Sequence, residues 1–385
     1  PPLSPFSPPA LSHITLTPTT SIATIYIRQP FTPCPKDAKG KVHVAKTGMG
    51  SSAALTTALV GALLAHAGVV KLGGDGEPNN KRDRRLVHNL AQLAHAVAQG
   101  KIGSGFDVSA AVYGSQRYSR FNPLNFLNCM DACTESCQLE VQTAEAIFEA
   151  VIDKDNTHWE GCEAKPFALP SGVNIMMGDV AGGSSSTSMA RAVLAWKKAG
   201  GAEVEAHWAE LGKCNVDIYR HFTMLTAYST NYTKQFQFLM ARISNLPTTL
   251  WETNNSDDVT KRLVGLLMEL KRLFGRTRKL LKDMGVKAGV AIEPDSQSSL
   301  CDATELIPGV LCAGVPGAGG VDAIFAVTTS QEARLRVEAM WSKWHENNDD
   351  GTVVCPLMLS AESDPKMSGI NIDWTDVDLS PLPKV

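Results

Sequence analysis

The stretch KTGMGSSAALTTA, residues 46–58, decides how this sequence is to be interpreted. It places two glycines and two serines in a short loop that turns at once into a helix-like run. The first amides of a helix lack partners and carry a partial positive charge, so this layout suits a bound phosphate. It is not the common P-loop, because no lysine follows the second glycine. A serine-capped helix after a tight turn is the plainer alternative, and this stretch alone leaves both open.

The candidate contacts to phosphate in this loop are small, hydroxylated or cationic. Glycines allow positive φ and a close approach of the backbone to an anion. The hydroxyls of Ser51 and Ser52 both suit phosphate oxygens or a hydrated Mg²⁺, so either serine is a candidate metal contact, and we choose Ser52 for the prediction. The candidate phosphate-binding residues of this loop are Lys46, Gly48, Gly50, Ser51, Ser52 and Ala53.

A second candidate lies in KIGSGFD, residues 101–107. Two glycines flank Ser104, and this bend presents Asp107 at the start of an Ala- and Val-rich run. Such an aspartate can cap a helix, which is the plainer interpretation. It can also orient a nucleophile, or balance a metal or a lysine such as Lys101.

Two more glycine-rich segments lie beside predicted strands. GGSSST, residues 182–187, follows a predicted strand at 174–180 and is a second candidate anion site. GVPGAGG, residues 314–320, separates two apolar runs, and its alternative is a turn that the chain path requires.

The composition narrows the class of protein. The chain has 385 residues, 44% of them hydrophobic and 19% charged, which is enough for two ordinary domains. A net charge of −3 argues against nucleic acid as the main partner. The longest apolar stretch, residues 53–70, contains Thr56, Thr57 and His66, so we expect a buried core helix and no membrane span. With no cationic leader in this sequence, we expect a cytoplasmic enzyme.

Nine cysteines, an odd number, are scattered along the chain. This usage predicts free thiols in a reducing compartment. A zinc site is the less favoured alternative, since no C-x-x-C pair accompanies the nearby cysteines and histidine. Its candidate ligands are Cys129, Cys133, Cys137, His158 and Cys162.

The pattern of strands and helices predicts an α+β architecture. We expect an N-terminal domain at 1–165 and a C-terminal domain at 166–385, with 128–165 as a variable insertion. The predicted helices are 51–66, 83–99, 189–198, 203–243, 258–284 and 331–347. The predicted strands lie within 11–28, at 41–45 and 174–180, and on both sides of 314–320.

Four motifs, in this order, resemble one known family: KTGMGSSAA, GKIGSGFDVSAAVYGSQRYSRF, GDVAGGSSSTSM and GVPGAGGVDAIF. The first motif indicates only the GHMP kinase superfamily, whereas GSGFD with AAVYGS resembles its fungal and plant phosphomevalonate kinase family. The resemblance covers roughly 42–127 and 166–330. It implies a GHMP kinase fold, with an N-terminal domain like ribosomal protein S5 domain 2 and a ferredoxin-like C-terminal domain.

The resemblance also implies an activity, the phosphorylation of (R)-5-phosphomevalonate to the 5-diphosphate with ATP and Mg²⁺, on the mevalonate route to isopentenyl diphosphate and sterols. The implied partners are these small molecules, with no nucleic acid or membrane, in a monomer or homodimer. Carried over by motif, 48–52 would wrap the ATP phosphates, and Asp107, with Lys101, would occupy the catalytic position. The implied substrate side comprises Ser104, Ser184, Ser185, Gly317, Ala318 and Gly319.

Three departures from the family pattern bear on these expectations. Met49 replaces a leucine, and Ser186 and Thr187 stand where the family commonly has Thr-Pro. Family members also carry a longer segment before the KTG loop, with an A-P-G-K-like motif, whereas 45 residues precede Lys46 here. We therefore expect an N-terminal domain truncated at its start. The alternatives are another GHMP small-molecule kinase, similar to mevalonate kinase, and an inactive nucleotide-binding fragment.

Overall fold

The computed structural model of the chain describes residues 50–72, 81–123, 161–181, 186–253, 257–346 and 352–357, with single positions at 36, 40, 130, 145, 151 and 159. The chain divides into two compact units, Pro1–Lys46 and Thr47–Val385. In the first unit only Lys36 and Gly40 are described, and both are exposed. The strands predicted within 11–28 and at 41–45 lie outside the described residues.

The second unit begins with three helices and a pair of strands. These are α1 (Ser51–His66), α2 (Lys81–Gln99), α3 (Phe106–Tyr113), β1 (Gln116–Ser119) and β2 (Glu163–Pro166), with β1 antiparallel to β2. The three helices meet at Ala53, Ala91 and Val108, which are fully buried. Because two of these side chains are only methyl groups, the helix backbones approach one another closely.

The helix predicted at 51–66 is confirmed, but the expectation that it is a core helix is wrong for its large side chains. Its buried residues are small: Ala53, Thr57 and Gly61. The leucines occupy the other face, where Leu55, Leu59 and Leu63 are 72%, 57% and 59% exposed. Residues two apart on a helix point about 200° apart, so packing the small-residue face against α2 and α3 turns the leucines outward.

The remainder of the unit is built on a four-stranded antiparallel sheet of order β4-β5-β3-β6. Its strands are β3 (Asn174–Val180), β4 (Val310–Gly314), β5 (Ala323–Thr328) and β6 (Val354–Leu357). The helices are α4 (Ser186–Ala199), α5 (Ala202–Asn231), α6 (Thr233–Ile243), α7 (Asp258–Ala288), α8 (Asp295–Glu305) and α9 (Gln331–Ser342).

Helices cover both faces of this sheet, because alternate residues of a strand point to opposite sides. On one face, Val327 packs with Leu267 of α7 and Leu225 of α5. On the other face, Met176 packs with Leu300 of α8 and Trp341 of α9. The predicted α+β class is therefore confirmed.

Two predicted helices end differently from the expectation. The stretch 203–243 is divided at Tyr232, whose φ of −128° and ψ of 50° leave the helical region, so that α5 ends and α6 begins there. The final helix stops at Ser342 and is followed by the 3₁₀ turn Trp344–Glu346. Within the described part of the chain, no helix is both long enough and apolar enough to cross a membrane.

The described cysteines are free thiols, as predicted: Cys162, Cys214, Cys301, Cys312 and Cys355. Burial raises the pKa of the Cys162 thiol to about 11. The other candidate zinc ligands, Cys129, Cys133, Cys137 and His158, lie outside the described residues, as does most of the insertion at 128–165. The domain boundary near residue 165 stays a prediction.

Candidate active site

The N-terminus of α1 is open, without a side-chain cap. Gly50 is its N-cap residue, with φ 70° and ψ 28°, and among the described residues no side chain is found to cap the first turn. The serine-capped helix is therefore not what forms here, and Ser51 and Ser52 are both exposed. An uncapped helix N-terminus offers its free amides and its partial positive charge to an anion.

The N-terminus of α3 has the same design. Its N-cap residue, Gly105, has φ 77° and no side chain with which to cap the first turn. Asp107 lies in the first turn, half-buried, and its Oδ1 accepts a hydrogen bond of 3.0 Å from the amide of Val108. The interpretation of Asp107 as an N-cap is therefore wrong, because Gly105 holds that position.

The two open helix ends lie next to each other. A Cβ atom placed on Gly50 would lie 3.6 Å from the Cβ of Asp107. The structure thus brings together two motifs that are more than fifty residues apart in the sequence. The arrangement combines two helix N-termini, which favour anions, with a carboxylate, which favours a cation beside them.

The bend at 103–105 is held by its carbonyl oxygens. Arg120 donates from Nη2 to the carbonyl of Gly103 at 2.6 Å, and the Tyr118 hydroxyl donates to that of Ser104 at 3.1 Å. Gln92 donates from Nε2 to the carbonyl of Gly105 at 2.6 Å. Burial, helped by the nearby thiol of Cys162, raises the pKa of Tyr118, so its hydroxyl remains a donor. Three consecutive carbonyls are therefore fixed by three side chains.

Ser52, the predicted metal contact, has a partner on α2. Its Oγ lies 3.1 Å from Nε2 of His95. The sequence analysis did not identify His95, Gln92, Tyr118 or Arg120. One signal was present in the sequence, since polar residues at 88, 92 and 95 follow the i, i+4, i+7 spacing of a single helix face.

Several predicted site residues are placed less completely. Lys101 and Ser104 are exposed, at the bend that follows α2. Lys46, Gly48, Ser184 and Ser185 lie outside the described residues. The assigned roles of all six residues stay predictions.

The glycine-rich turn after β4 packs against the loop that follows α7. Gly317 and Gly319 have φ of 67° and 83°, and the amide of Gly320 donates to the carbonyl of Ile292 at 2.8 Å. A Cβ on Gly319 would collide with the backbone of Ile292, so only glycine fits there. Among the described residues no hydrogen bond joins 317–319 to Asp107, and their meeting in one site stays a prediction.

The loop that supports this turn is tied down by a buried ion pair. Arg278 of α7 donates to Glu293 at 2.7 Å and to Asp302 at 2.7 Å. Burial alone would lower the pKa of Arg278, but these hydrogen bonds raise it above its ordinary value. The oxygen of Glu293 that accepts from Arg278 also accepts from the Ser298 hydroxyl at 2.8 Å.

A cavity of about 190 Å³ lies beside this ion pair. Its walls are largely apolar and include Ile218, Phe274, Leu281 and Phe325. The one arginine in its wall, Arg278, already meets two carboxylates. Because buried charges need local partners and Arg278 is already paired, this cavity suits an anion less well than the open helix ends do.

The oxygen atoms at the N-termini of α1 and α3 are candidate ligands for magnesium. Mg²⁺ prefers oxygen donors and is usually held by one or two carboxylates together with substrate phosphates and water. The described residues contain no group of three His, Cys, Asp or Glu side chains arranged to hold a metal. The Asp107 carboxylate and the Ser52 hydroxyl, in the first turns of the two neighbouring helices, are hard oxygen donors of the type that Mg²⁺ prefers.

Comparison with known proteins gives one matching family model and several similar curated proteins. Residues 36–115 match the family model described as the GHMP kinases N terminal domain. The chain is 37% identical over 308 residues to "Phosphomevalonate kinase, peroxisomal" of Arabidopsis thaliana, covering 79% of this chain and 59% of that protein. It is 32% identical over 339 residues to "Phosphomevalonate kinase ERG8" of Gibberella zeae, covering 86% of this chain and 62% of that protein.

Among solved structures, the chain is similar to a Lin0012 protein from Listeria innocua, with TM-score 0.48 and 19% identity over 84% of this chain and 68% of that one. A second is Streptococcus pneumoniae phosphomevalonate kinase in complex with phosphomevalonate and AMPPNP, with TM-score 0.43 and 15% identity over 81% and 70%. The chain spans about three fifths of the length of the two curated relatives above. Residues 36–115 thus match a GHMP kinase N-terminal domain, and most of the chain is similar to the phosphomevalonate kinases of a plant and a fungus.

Proposed function

We propose that this chain transfers the γ-phosphoryl group of ATP to the phosphate of (R)-5-phosphomevalonate. A new P–O bond forms between an oxygen of the acceptor phosphate and the γ-phosphorus. The bond between the γ-phosphorus and the bridging oxygen breaks, and ADP leaves with the electron pair. The products are ADP and 5-diphosphomevalonate.

The similarity to curated phosphomevalonate kinases over about four fifths of this chain carries the proposal. The geometry supports its nucleotide half, because the open ends of α1 and α3 adjoin each other beside Asp107. Serine hydroxyls and free amides in the first turn of α1 suit the ATP phosphates. The glycine-rich turn at 317–320 is the proposed acceptor side, with Ser184 and Ser185.

The acceptor makes a general base nearly unnecessary. The second pKa of a phosphate monoester is about 6, so the acceptor is mostly dianionic at pH 7. The difficulty is to bring two highly charged phosphates together in line, which calls for positioning and charge neutralisation. Magnesium supplies part of that neutralisation when bound, and we assign its protein contacts to Ser52 and Asp107.

Within this scheme Asp107 is an orienting carboxylate. It is fixed by its own turn and lies beside Gly50, where the phosphates would sit. We propose that it orients Lys101 or a metal-bound water and does not remove a proton from the acceptor. Lys101 then contributes a positive charge to the transferring group.

The test is an assay of the 385-residue chain with MgATP and two acceptors, 5-phosphomevalonate and mevalonate. We expect ADP and the diphosphate from the first acceptor and no turnover of the second. Asp107→Asn should lower kcat by about 100-fold, a loss typical of removing one oriented charged group from a site. Loss of the acidic limb of the pH–rate profile in this variant would instead assign Asp107 as the base.

Asp258→Asn is the matched control, because this exposed carboxylate at the start of α7 pairs only with Lys261 among the described contacts. It should keep the wild-type rate. Turnover of mevalonate but not of its phosphate would replace the proposal with an alcohol kinase of the same superfamily. Binding of an ATP analogue without turnover of either acceptor would leave only a nucleotide-binding protein.

A further inference from the structure

We propose that helix α2 positions both phosphate-facing helix ends, with Gln92 holding the turn that carries Asp107 and His95 holding Ser52. This inference rests on the proposed function. Neither side chain is assigned to contact a substrate, so both are positioning residues. Each acts through a contact made to a neighbouring helix.

Gln92 fits the Gly105 turn with no free space. Its side chain is buried, and Nε2 donates to the Gly105 carbonyl at 2.6 Å. A Cβ on Gly105 would lie 2.9 Å from Nε2 of Gln92 and 2.8 Å from Cε1 of Phe121. Gln92 and Phe121 thus confine Gly105 from two sides. This confinement fixes the start of α3 and, with it, the position of Asp107.

Behind Gln92 lies a chain of hydrogen bonds whose donors are all determined. Asn89 donates from Nδ2 to the carbonyl of Val151, so its Oδ1 is free to accept from Nδ1 of His88 at 3.0 Å. The neutral His88 ring then accepts at Nε2 from Gln92, at 3.2 Å. The second N–H of Gln92 remains for Gly105. This order fixes the amide orientation of Gln92 and directs a donor at the turn.

His95 makes the second contact from the same face of α2. It lies three residues after Gln92, and residues three and four apart share a helix face. Its Nε2 is 3.1 Å from Oγ of Ser52, in the first turn of α1. Between the two contacts, Ala91 of α2 packs against Ala53 and Val108. One rigid helix therefore sets the positions of both open helix ends.

The position of these groups matters for transfer between two anions. A displacement of about 1 Å in a site of this kind lowers the rate by roughly 100-fold. Gln92 should act on kcat, because it positions the turn with Asp107. His95 should act on nucleotide binding, because it orients the hydroxyl assigned to the nucleotide and its metal ion.

The first experiment replaces Gln92 with Met, which keeps the length of the side chain and removes the donor. We expect kcat to fall by at least tenfold with little change in KM for ATP. Hydrogen exchange of the amides in 109–112, which are hydrogen-bonded within α3, should become at least tenfold faster. Gln99→Met is the matched control on the same helix, because Gln99 is exposed, and it should change neither quantity.

A double-mutant cycle separates positioning from general damage. If Gln92 acts through the turn of Asp107, Gln92→Met should lose most of its effect on kcat in an Asp107→Asn background. Full additivity of the two effects would contradict the proposal. So would unchanged exchange at 109–112 in a folded Gln92→Met protein.

His95 supplies an independent measurement that does not need turnover. His95→Ala should weaken binding of a non-hydrolysable ATP analogue with Mg²⁺ by at least fivefold, and His95→Gln, which can still hydrogen-bond Ser52, should restore most of it. Equal binding by the wild-type and Ala proteins would overturn this half, even if Gln92→Met fails to fold. Absence of kinase activity with the exchange and binding effects intact would refute the proposed function and keep the positioning role.

Discussion

His88 is a buried imidazole whose surroundings require it to be neutral. It is 2% exposed and packs against the rings of Tyr113 and Trp159. Burial lowers its pKa to about 4, an effect that the hydrogen bond to Asn89 only partly opposes. Protonation would place an N–H of the ring against the N–H of Gln92, since Nε2 must accept that bond. The titration of His88 is therefore linked to the stability of the fold.

The pH dependence of unfolding follows from that shift. Because the folded-state pKa lies below the unfolded value of about 6.5, the stabilising effect is complete above pH 6.5 and is lost as the pH falls toward 4. We expect a loss of about 2–3 kcal/mol in the free energy of unfolding between pH 7 and pH 4.5 from this group. Urea unfolding of the wild type and of His88→Gln, at both values of pH, measures it.

His88→Gln is chosen because glutamine can donate to Asn89 and accept from Gln92 but does not titrate. The carboxylates of the protein titrate in both proteins and cancel in the comparison. The variant should therefore show a smaller loss of stability on acidification than the wild type. Parallel pH profiles for the two proteins would contradict the assignment of a buried neutral imidazole.

Among individual residues, those in glycine-rich motifs could be predicted from the sequence as candidate site residues. Gly50 and Asp107 lie next to each other at two helix ends, as the proposed phosphate site requires. Gln92 and His95 were not predicted as site residues, because their partners lie 13 and 43 residues away in the sequence. Such pairings depend on how α1, α2 and α3 pack, which residue spacing along one helix does not determine. In the packed structure Ser51 and Ser52 do not cap α1, because Gly50 holds the N-cap position.

Among the elements, α7 contains three glycines, and two of them, Gly275 and Gly285, have contrasting surroundings. A Cβ on Gly285 would lie 2.6 Å from the carbonyl oxygen of Val290 and 3.0 Å from the amide nitrogen of Ile292. Those atoms belong to the loop whose Ile292 carbonyl accepts from Gly320. Gly285 is thus required by a close approach between the helix and the loop supporting the glycine-rich turn.

Gly285→Ala should destabilise the protein by about 1–3 kcal/mol, because the loop must move to admit one methyl group. Gly275→Ala is its control on the same helix, since nothing lies within 4 Å of the added atom. Alanine at that exposed helical position should stabilise the protein by about 0.5–1 kcal/mol. Urea unfolding of both variants measures the contrast, and equal effects would exclude the packing argument.

Element boundaries followed from the sequence wherever local signals were strong. The helix at 51–66 and the strand at 174–180 agree with the predicted limits, because a glycine precedes the helix and the strand is a short apolar run. The break at Tyr232 had no such signal, since neither glycine nor proline stands there. The outward leucines of α1 were also missed, because the long apolar run 53–70 obscured the small-residue stripe used for packing.

In the molecule as a whole, the buried clusters of the described residues fall into two sets. One set lies between Ala53 and Val151, with Trp159 and Cys162 packed against it. The other lies between Val173 and Val354, with Phe167 and Leu169 packed against it. The change from one set to the other falls between 162 and 167, where the sequence predicts the domain boundary.

Two cores that share no buried residue should open separately. Leu267→Ala removes a fully buried side chain from the C-terminal set and should cost about 2–5 kcal/mol. We expect native-state hydrogen exchange to become faster throughout the strands and helices of 174–346 and to stay unchanged in α2 and α3. Leu93→Ala is the reciprocal variant, and its effect should be confined to 81–121. Faster exchange in both parts from either substitution would show a single cooperative unit and remove the boundary near 165.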